Sequence, residues 1–369
     1  MFVLRAMVVR AGIERVVSDK MNFLANRGHE VTLVTCQQGC HPMVFKQHPS
    51  VRHEDVDCRF FTIYRYSLPF RLLKQWQMKW KFKQRFHQLV RQLQPDVIVT
   101  VTNLGEFVAE IMSAPCGKKI IEAHGAFLAI TAAQSFRERL HRWQLLRAVR
   151  RSDLVITLTQ MDKPYWQPYA RQVVAVPNPV TFYSDDLPAT ERQHGRILCV
   201  GRLEQQKRFD RLVDAFAMIA SRYPDWYVDI YGTGEDEAAL SRQIDSCALT
   251  GRVCLRGHSE DIYSEYRRSE FFVLSSDYEG FGLVLVEAMA CGVPVVSVDC
   301  PFGPSEIIGD GVDGLLCQPD AADLAAKMEW MITHEAERRK MGIAAHHSVV
   351  RYRKETVLPQ WEKAYKKTE

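Results

Sequence analysis

Phe271-Phe272-Val273-Leu274-Ser275, a polar turn into Glu279-Gly280-Phe281-Gly282, the run Leu283-Val284-Leu285-Val286-Glu287-Ala288-Met289-Ala290-Cys291, and Gly292-Val293-Pro294 leading to Val298 read as strand, loop, helix and strand. The same alternation runs along the whole chain. In the first half it predicts strands at His29–Thr35, Arg59–Ile63, Asp96–Val101, Lys118–Ala123, Asp153–Leu158 and Val173–Val176. In the second half it predicts Arg196–Val200, Trp226–Tyr231, Val253–Arg256, Phe271–Ser275, Pro294–Val298 and Gly314–Cys317. Runs such as Val97-Ile98-Val99-Thr100-Val101 are apolar on both faces, as parallel strands covered by helices must be. The fold class expected is therefore α/β, with two Rossmann-like doubly wound domains facing across a cleft.

Pro177-Asn178-Pro179 and the polar stretch Ser184–Gly195 interrupt the alternation. They divide the chain into 1–180, 181–350 and a C-terminal helix over 351–369, whose Leu358, Trp361 and Tyr365 would pack back on the first domain. A length of 369 residues suits two such domains, and 47% hydrophobic with 25% charged residues excludes wholesale disorder. No run of 18 apolar residues occurs, so no helix is expected to span a bilayer. Met1-Phe2-Val3-Leu4-Arg5 opens without a long apolar region, which argues against secretion. The ten cysteines contain no CxxC pair and read as reduced, buried thiols, as at Cys199, Cys254 and Cys317.

Gly280 and Gly282 let backbone approach a ligand, and the N–H groups at a helix start near Leu283 suit a phosphate. Glu279 before that helix and Glu287 within it can accept hydrogen bonds from sugar hydroxyls. After the first strand of the second domain, Gly201-Arg202-Leu203-Glu204-Gln205-Gln206-Lys207 offers a planar fork and a point charge for a diphosphate. Gly232-Thr233-Gly234 is no dinucleotide fingerprint, because Glu237 stands where the third glycine would be. Glu235, Asp236 and Glu237 read as a solvated helix start. Asp55-Val56-Asp57 reads as an exposed loop rather than a metal site, and the histidines and cysteines show no zinc-like spacing.

The net charge of +4 conceals an asymmetry. Residues 1–184 carry 26 Lys and Arg against 13 Asp and Glu, a net of +13; residues 185–369 carry 22 against 31, a net of −9. From Arg59 to Pro95 there are nine basic and no acidic residues, interleaved with aromatics such as Phe70, Trp76, Trp80, Phe82 and Phe86. Leu72–Leu93 has helical spacing that shifts near Trp80, and Arg137–Arg151 adds six arginines and one glutamate. Basic amphipathic helices with aromatics suit anionic lipid headgroups. They also suit RNA, but no recognised RNA module occurs, so no nucleic-acid partner is expected.

Together and in this order, the motifs resemble family-4 retaining glycosyltransferases of the GT-B fold, which serve bacterial capsule, lipopolysaccharide and glycan assembly. Glu279–Glu287 looks like that family's E-x(7)-E motif, and Gly201-Arg202 with Lys207 is similar to its G-R-x(4)-K element. His124, in Glu122-Ala123-His124-Gly125, matches the histidine after a first-domain strand. Gly12-Ile13-Glu14-Arg15-Val16 is similar to the family's G-G-x-E-R-V turn, with Ala11 in place of its first glycine. The family's first strand would fall at Phe2–Val9, which Arg5 interrupts, so the resemblance implies a shortened strand or a start further upstream.

The resemblance implies an acceptor-binding first domain and a nucleotide-sugar-binding second domain. Arg202 and Lys207 would neutralise the donor diphosphate, Glu279 would contact the donor sugar, Glu287 the ribose, and His124 would face the sugar. Gly12, Gly201, Gly280 and the backbone of Phe281, Gly282 and Leu283 would hold the donor. Substitution would proceed on the front face with retention, needing no metal and no cofactor, since the nucleotide-sugar is a substrate. Cys300-Pro301-Phe302-Gly303-Pro304-Ser305-Glu306-Ile307-Ile308 looks like relatives that use UDP-linked galactose-type or N-acetylhexosamine donors; its Ser305 alternatively reads as a plain helix cap. The acceptor implied is a lipid-linked saccharide at the inner face of the cytoplasmic membrane, with Arg59–Arg91 against that anionic surface and the protein cytoplasmic and peripheral. The alternatives are a GDP-mannose-dependent mannosyltransferase, or a non-transferring nucleotide-sugar binder or epimerase of the same fold.

Overall fold

The computed structural model describes residues 1–9, 11–131, 136–186 and 192–366; part of the polar stretch Ser184–Gly195, the Arg137 side chain and the last three residues lie outside them. Two compact units result, one formed by Met1–Pro177 with the chain from Val357 on, the other by Asn178–Thr356.

The first unit is built on β1 (Phe2–Leu4), β2 (Thr32–Thr35), β3 (Arg52–Asp55), β4 (Val97–Val101), β5 (Lys118–Ala123), β6 (Leu154–Thr157) and β7 (Val173–Ala175), ordered β3-β2-β1-β4-β5-β6-β7. The second has β8 (Arg196–Val200), β9 (Tyr227–Tyr231), β10 (Val253–Gly257), β11 (Phe271–Leu274), β12 (Val295–Val298) and β13 (Gly314–Cys317), ordered β10-β9-β8-β11-β12-β13. Every strand pairing is parallel. Each sheet reverses its winding once, between β1 and β4 and between β8 and β11. Ligands of open α/β sheets bind at such points, beyond the carboxyl ends of the strands.

The apolar runs explain the layering. Every residue of β11 and β12 is buried, so both faces of the sheet are covered. The helix Phe209–Ala220 buries Phe209, Leu212, Val213, Phe216 and Ile219, at the three- and four-residue spacing of one helix face. The helix Leu283–Ala290 is buried from Leu285 to Ala290, which its nearly unbroken apolar sequence requires. In the helix Lys354–Tyr365, Val357, Leu358, Trp361 and Tyr365 are buried. Within the first unit Trp361 Nε1 donates to Pro177 O at 2.8 Å, and the Tyr365 ring meets Phe2 edge-on at 5.6 Å.

Several expectations are corrected. Arg59–Ile63 is not a strand: Phe60–Arg65 forms a 3-10 helix that buries Phe60 and Ile63 three residues apart. The strand in this region is β3, one of the sheet's two edge strands with β7, and its Arg52, His53 and Glu54 side chains are exposed to water. Asp55 therefore ends a strand rather than lying in an exposed loop, and its carboxylate accepts from Thr35 Oγ1 at 3.0 Å and Gly39 N–H at 2.8 Å. The first strand stops at Leu4, so exposed Arg5 follows it and interrupts nothing. Gly303, not Ser305, precedes the short helix Pro304–Ile307. The ten cysteines are free thiols, but Cys40 is exposed and Cys254 only half-buried.

Candidate active site

In the second unit β8 and β11 are neighbours, so the loops that follow them converge at the switch point. The loop after β8 is pinned by the one after β9: Gly201 N–H donates to Tyr231 O and Leu203 N–H to Thr233 O, both at 3.0 Å. Gly232, at φ +145°, makes this possible, since a Cβ there would lie 1.8 Å from Gly201 O. Gly234 is equally constrained, with a Cβ falling 2.2 Å from Leu203 O. These glycines fail as a dinucleotide fingerprint yet support the basic turn. Gly232→Ala is expected to cost at least about 2 kcal/mol of stability through strain and backbone displacement, measured by urea denaturation of the intact chain.

Gln205–Lys207 forms one 3-10 turn, which Arg208 ends at φ +49°. Cross-links then join this turn to the loop after β11. Gln206 Nε2 donates to Tyr278 O at 2.8 Å, Asp277 N–H donates to Gln206 O at 2.9 Å, and Ser275 Oγ donates to Lys207 O at 2.8 Å. Arg208 and Arg211 both pair with Asp277, at 3.1 Å and 2.6 Å. This scaffold carries Lys207 to Glu279: Nζ lies 2.7 Å from Oε1, which also accepts from Ser276 Oγ at 2.7 Å. The Lys207 and Glu279 side chains are only 14% and 8% exposed. Arg202 differs, being 65% exposed and paired with Glu204 at 2.7 Å.

Glu279 is followed by a phosphate-sized helix start. Gly282, at φ +92°, caps the helix Leu283–Ala290 in the left-handed region that favours glycine. The N–H groups of Phe281, Gly282 and Leu283 donate to nothing among the described residues. Glu287, in the second turn, is buried and accepts from Tyr266 OH at 3.3 Å and Thr181 Oγ1 at 3.4 Å. Burial and the Glu287 charge push the Tyr266 hydroxyl well above its ordinary range, so it remains a donor. Arg202, Lys207, Glu279, Gly282 and Leu283 thus share one sheet edge, with Glu287 one helix turn behind.

Two residues read from the sequence lie in the first unit. Gly12 opens the helix Gly12–Asn26 after Ala11, whose extended φ of −112° suits any residue. His124 follows β5, with Nε2 2.7 Å from Glu122 Oε2. The same oxygen accepts from Lys20 Nζ at 2.9 Å, and Tyr365 OH donates to Glu122 Oε1. Burial alone would raise the Glu122 carboxyl, but the Lys20 charge and the bonds from His124 and Tyr365 bring it down to about 2. Burial lowers His124, so its imidazole is neutral near pH 7. Sequence reasoning missed this cluster, although a signal exists: Val16, Lys20 and Leu24, spaced by four, share the buried helix face. Among the described residues, no group of three or more His, Cys, Asp or Glu could hold a metal ion.

The parallel sheets and the sites at their carboxyl ends define the class: two Rossmann-like domains of the GT-B type. Residues 10–182 match Glycosyltransferase Family 4, and residues 189–348 match Glycosyl transferases group 1. The chain belongs to the glycosyltransferases, its first half to Family 4 and its second to group 1. An uncharacterized glycosyltransferase of Haemophilus influenzae is 24% identical over 95% of each chain. The amylovoran biosynthesis glycosyltransferase AmsD of Erwinia amylovora is 25% identical over 95% of this chain and 94% of its own. The structure of the S. aureus TarM G117R mutant in complex with fondaparinux, α-GlcNAc-glycerol and UDP has a TM-score of 0.79 at 13% identity, over 99% of both chains.

Proposed function

We propose that the protein is a retaining, metal-independent hexosyltransferase. It moves a hexose or N-acetylhexosamine from a UDP-sugar to a lipid-linked or glycan acceptor in surface polysaccharide assembly. The observation that carries this reading is the Lys207–Glu279 pair, 2.7 Å apart beside a helix start whose N–H groups donate to nothing among the described residues. In the bound state Lys207 and Arg202 neutralise the diphosphate, the N–H groups of Phe281–Leu283 receive phosphate and sugar oxygens, and Glu279 accepts from the sugar hydroxyls. Glu287 holds the ribose, and His124 faces the sugar from the first domain. The bond from the anomeric carbon to the diphosphate oxygen breaks, and that oxygen keeps the electron pair. The acceptor hydroxyl attacks the same face and passes its proton to a phosphate oxygen. The fixed cation and helix dipole stabilise the developing charge. UDP in the TarM complex and the Gly303-Pro304-Ser305-Glu306 run support a UDP-sugar, and the likeness to AmsD, an amylovoran biosynthesis glycosyltransferase, supports a role in glycan assembly. ¹H NMR of the first product tests retention: the donor's anomeric configuration is expected, and an inverted one would contradict it.

The reading includes an anionic membrane surface, supported by the helix Leu68–Leu93. Its second half buries Phe82, Phe86 and Val90, whereas Leu72, Leu73, Trp76 and Trp80 in the first half are exposed, Trp76 by 65%. The shift of spacing near Trp80 is the point where the apolar stripe passes from solvent to core. Lys79 Nζ reaches Gln144 Oε1 at 3.5 Å, so the exposed Leu140 and Trp143 of the helix Phe136–Val149 adjoin the same basic surface. No helix among the described residues is long and apolar enough to cross a membrane. Flotation with anionic liposomes is expected to carry the protein, and Lys-to-Glu reversal at Lys74, Lys79, Lys81 and Lys83 to abolish it. Undiminished binding of the reversed variant would refute the contact.

A further inference from the structure

Glu122, at the end of β5, is completely buried and receives three donors from three elements of the first unit. Lys20 comes from the helix Gly12–Asn26, His124 from the loop after β5, and Tyr365 from the helix Lys354–Tyr365. The Lys20 ammonium also sits 3.0 Å from the centre of the Trp361 ring, whose Nε1 is bonded to Pro177 O. From these contacts we propose that Glu122 is a positioning residue for His124: its carboxylate keeps the proton on Nε2, so that Nδ1 is the ring atom left for the sugar, while Lys20 and Tyr365 hold Glu122 in place. The inference rests on the functional reading in which His124 faces the donor sugar.

The assignment follows from donor and acceptor bookkeeping. An ionised carboxylate only accepts, so the ring nitrogen 2.7 Å from Glu122 must carry hydrogen. A neutral imidazole has one N–H, which leaves a lone pair on Nδ1. The charged and titratable groups facing the ring are Glu122 from its own strand, Lys20 from the first helix and, through Glu122, Tyr365 from the last. Without Lys20 a buried carboxyl would take up a proton and its acceptor character at His124 would weaken. Tyr365 lies 243 residues beyond Glu122, so docking of the helix Lys354–Tyr365 helps set the geometry of the histidine.

Glu122→Gln alone would strand the buried Lys20 charge and endanger folding. The informative variant is therefore Lys20→Met with Glu122→Gln, which removes both charges together. ¹⁵N NMR of the imidazole in the intact, substrate-free protein, assigned by loss of the signal in His124→Ala, is expected to show the neutral Nε2–H tautomer near neutral pH. In the double variant a mixture or the Nδ1–H form is expected, with kcat lowered at least about tenfold and the donor KM little changed, as when a histidine loses its orienting carboxylate. An Nδ1–H tautomer or an imidazolium in the parent protein overturns the inference. So does a double variant whose tautomer and kcat are unaltered. Full activity of His124→Ala overturns the role given to His124 in the functional reading, an outcome separable from the tautomer result.

Discussion

Lys207→Ala is expected to lower turnover at least about 100-fold, the loss associated with removing one preorganised group that stabilises transition-state charge. Lys207 is nearly buried, its methylenes run against Gly201, and Nζ is fixed on Glu279 at 2.7 Å, so the cation needs no reorganisation when the leaving group develops charge. Arg202 cannot replace it. With 65% of its side chain exposed and Glu204 as partner, that guanidinium acts through water, where a unit charge is worth a fraction of its value in a shielded site. Glu279→Ala is expected to fall by a similar factor, and the double variant to be little worse than either, because the two side chains act as one unit. Steady-state kinetics alongside a thermal melt separate this loss from unfolding; a reduction below tenfold in folded Lys207→Ala would count against the assignment.

Lys20→Met is expected to destabilise the protein by about 3–5 kcal/mol, because it leaves Glu122 buried with neutral donors only. Burial pulls the Lys20 ammonium down to about 8, so it is still charged near neutral pH. Glu122 is held at about 2, below its ordinary 4.5. Its contribution is therefore present above pH 4.5 and disappears as the pH falls towards 2. In Lys20→Met the sign reverses, since burial without a counter-charge raises the carboxyl and acidification relieves the penalty. Urea melts should show a deficit that shrinks as the pH is lowered, with most of the stability regained when Glu122→Gln is added. A constant deficit at all pH values would place the cost in lost packing rather than in charge.

The fold is legible wherever apolar runs are continuous. Val97–Val101, Phe271–Ser275 and Pro294–Val298 announce buried parallel strands because they are short, apolar on both faces and rich in β-branched and aromatic residues. The β3 edge is hidden for the opposite reason: it is Arg-His-Glu-Asp, held by pairing with Thr32–Thr35, and no apolar pattern marks it. Arg59–Ile63 mimics a strand through its aromatic content, yet its buried residues recur at three. In the site, Lys207, Glu279 and Gly282 are visible because glycines and charges sit at strand ends. The supports are not. Gly232 and Gly234 act through backbone approach, and Asp277 through contacts of long sequence separation, 69 positions from Arg208 and 66 from Arg211. Lys20 and Tyr365 meet Glu122 from the two ends of the first unit's chain, which no local pattern encodes.

The most direct test incubates the protein with a panel of UDP- and GDP-sugars and lipid-linked saccharide acceptors, following nucleotide release and product mass together. Acceptor-dependent release of UDP is predicted, matched by an acceptor mass gain of one hexose or N-acetylhexosamine and lost in Lys207→Ala. Nucleotide-sugar isomerised without any acceptor, or no acceptor-dependent release with any donor, would contradict the account.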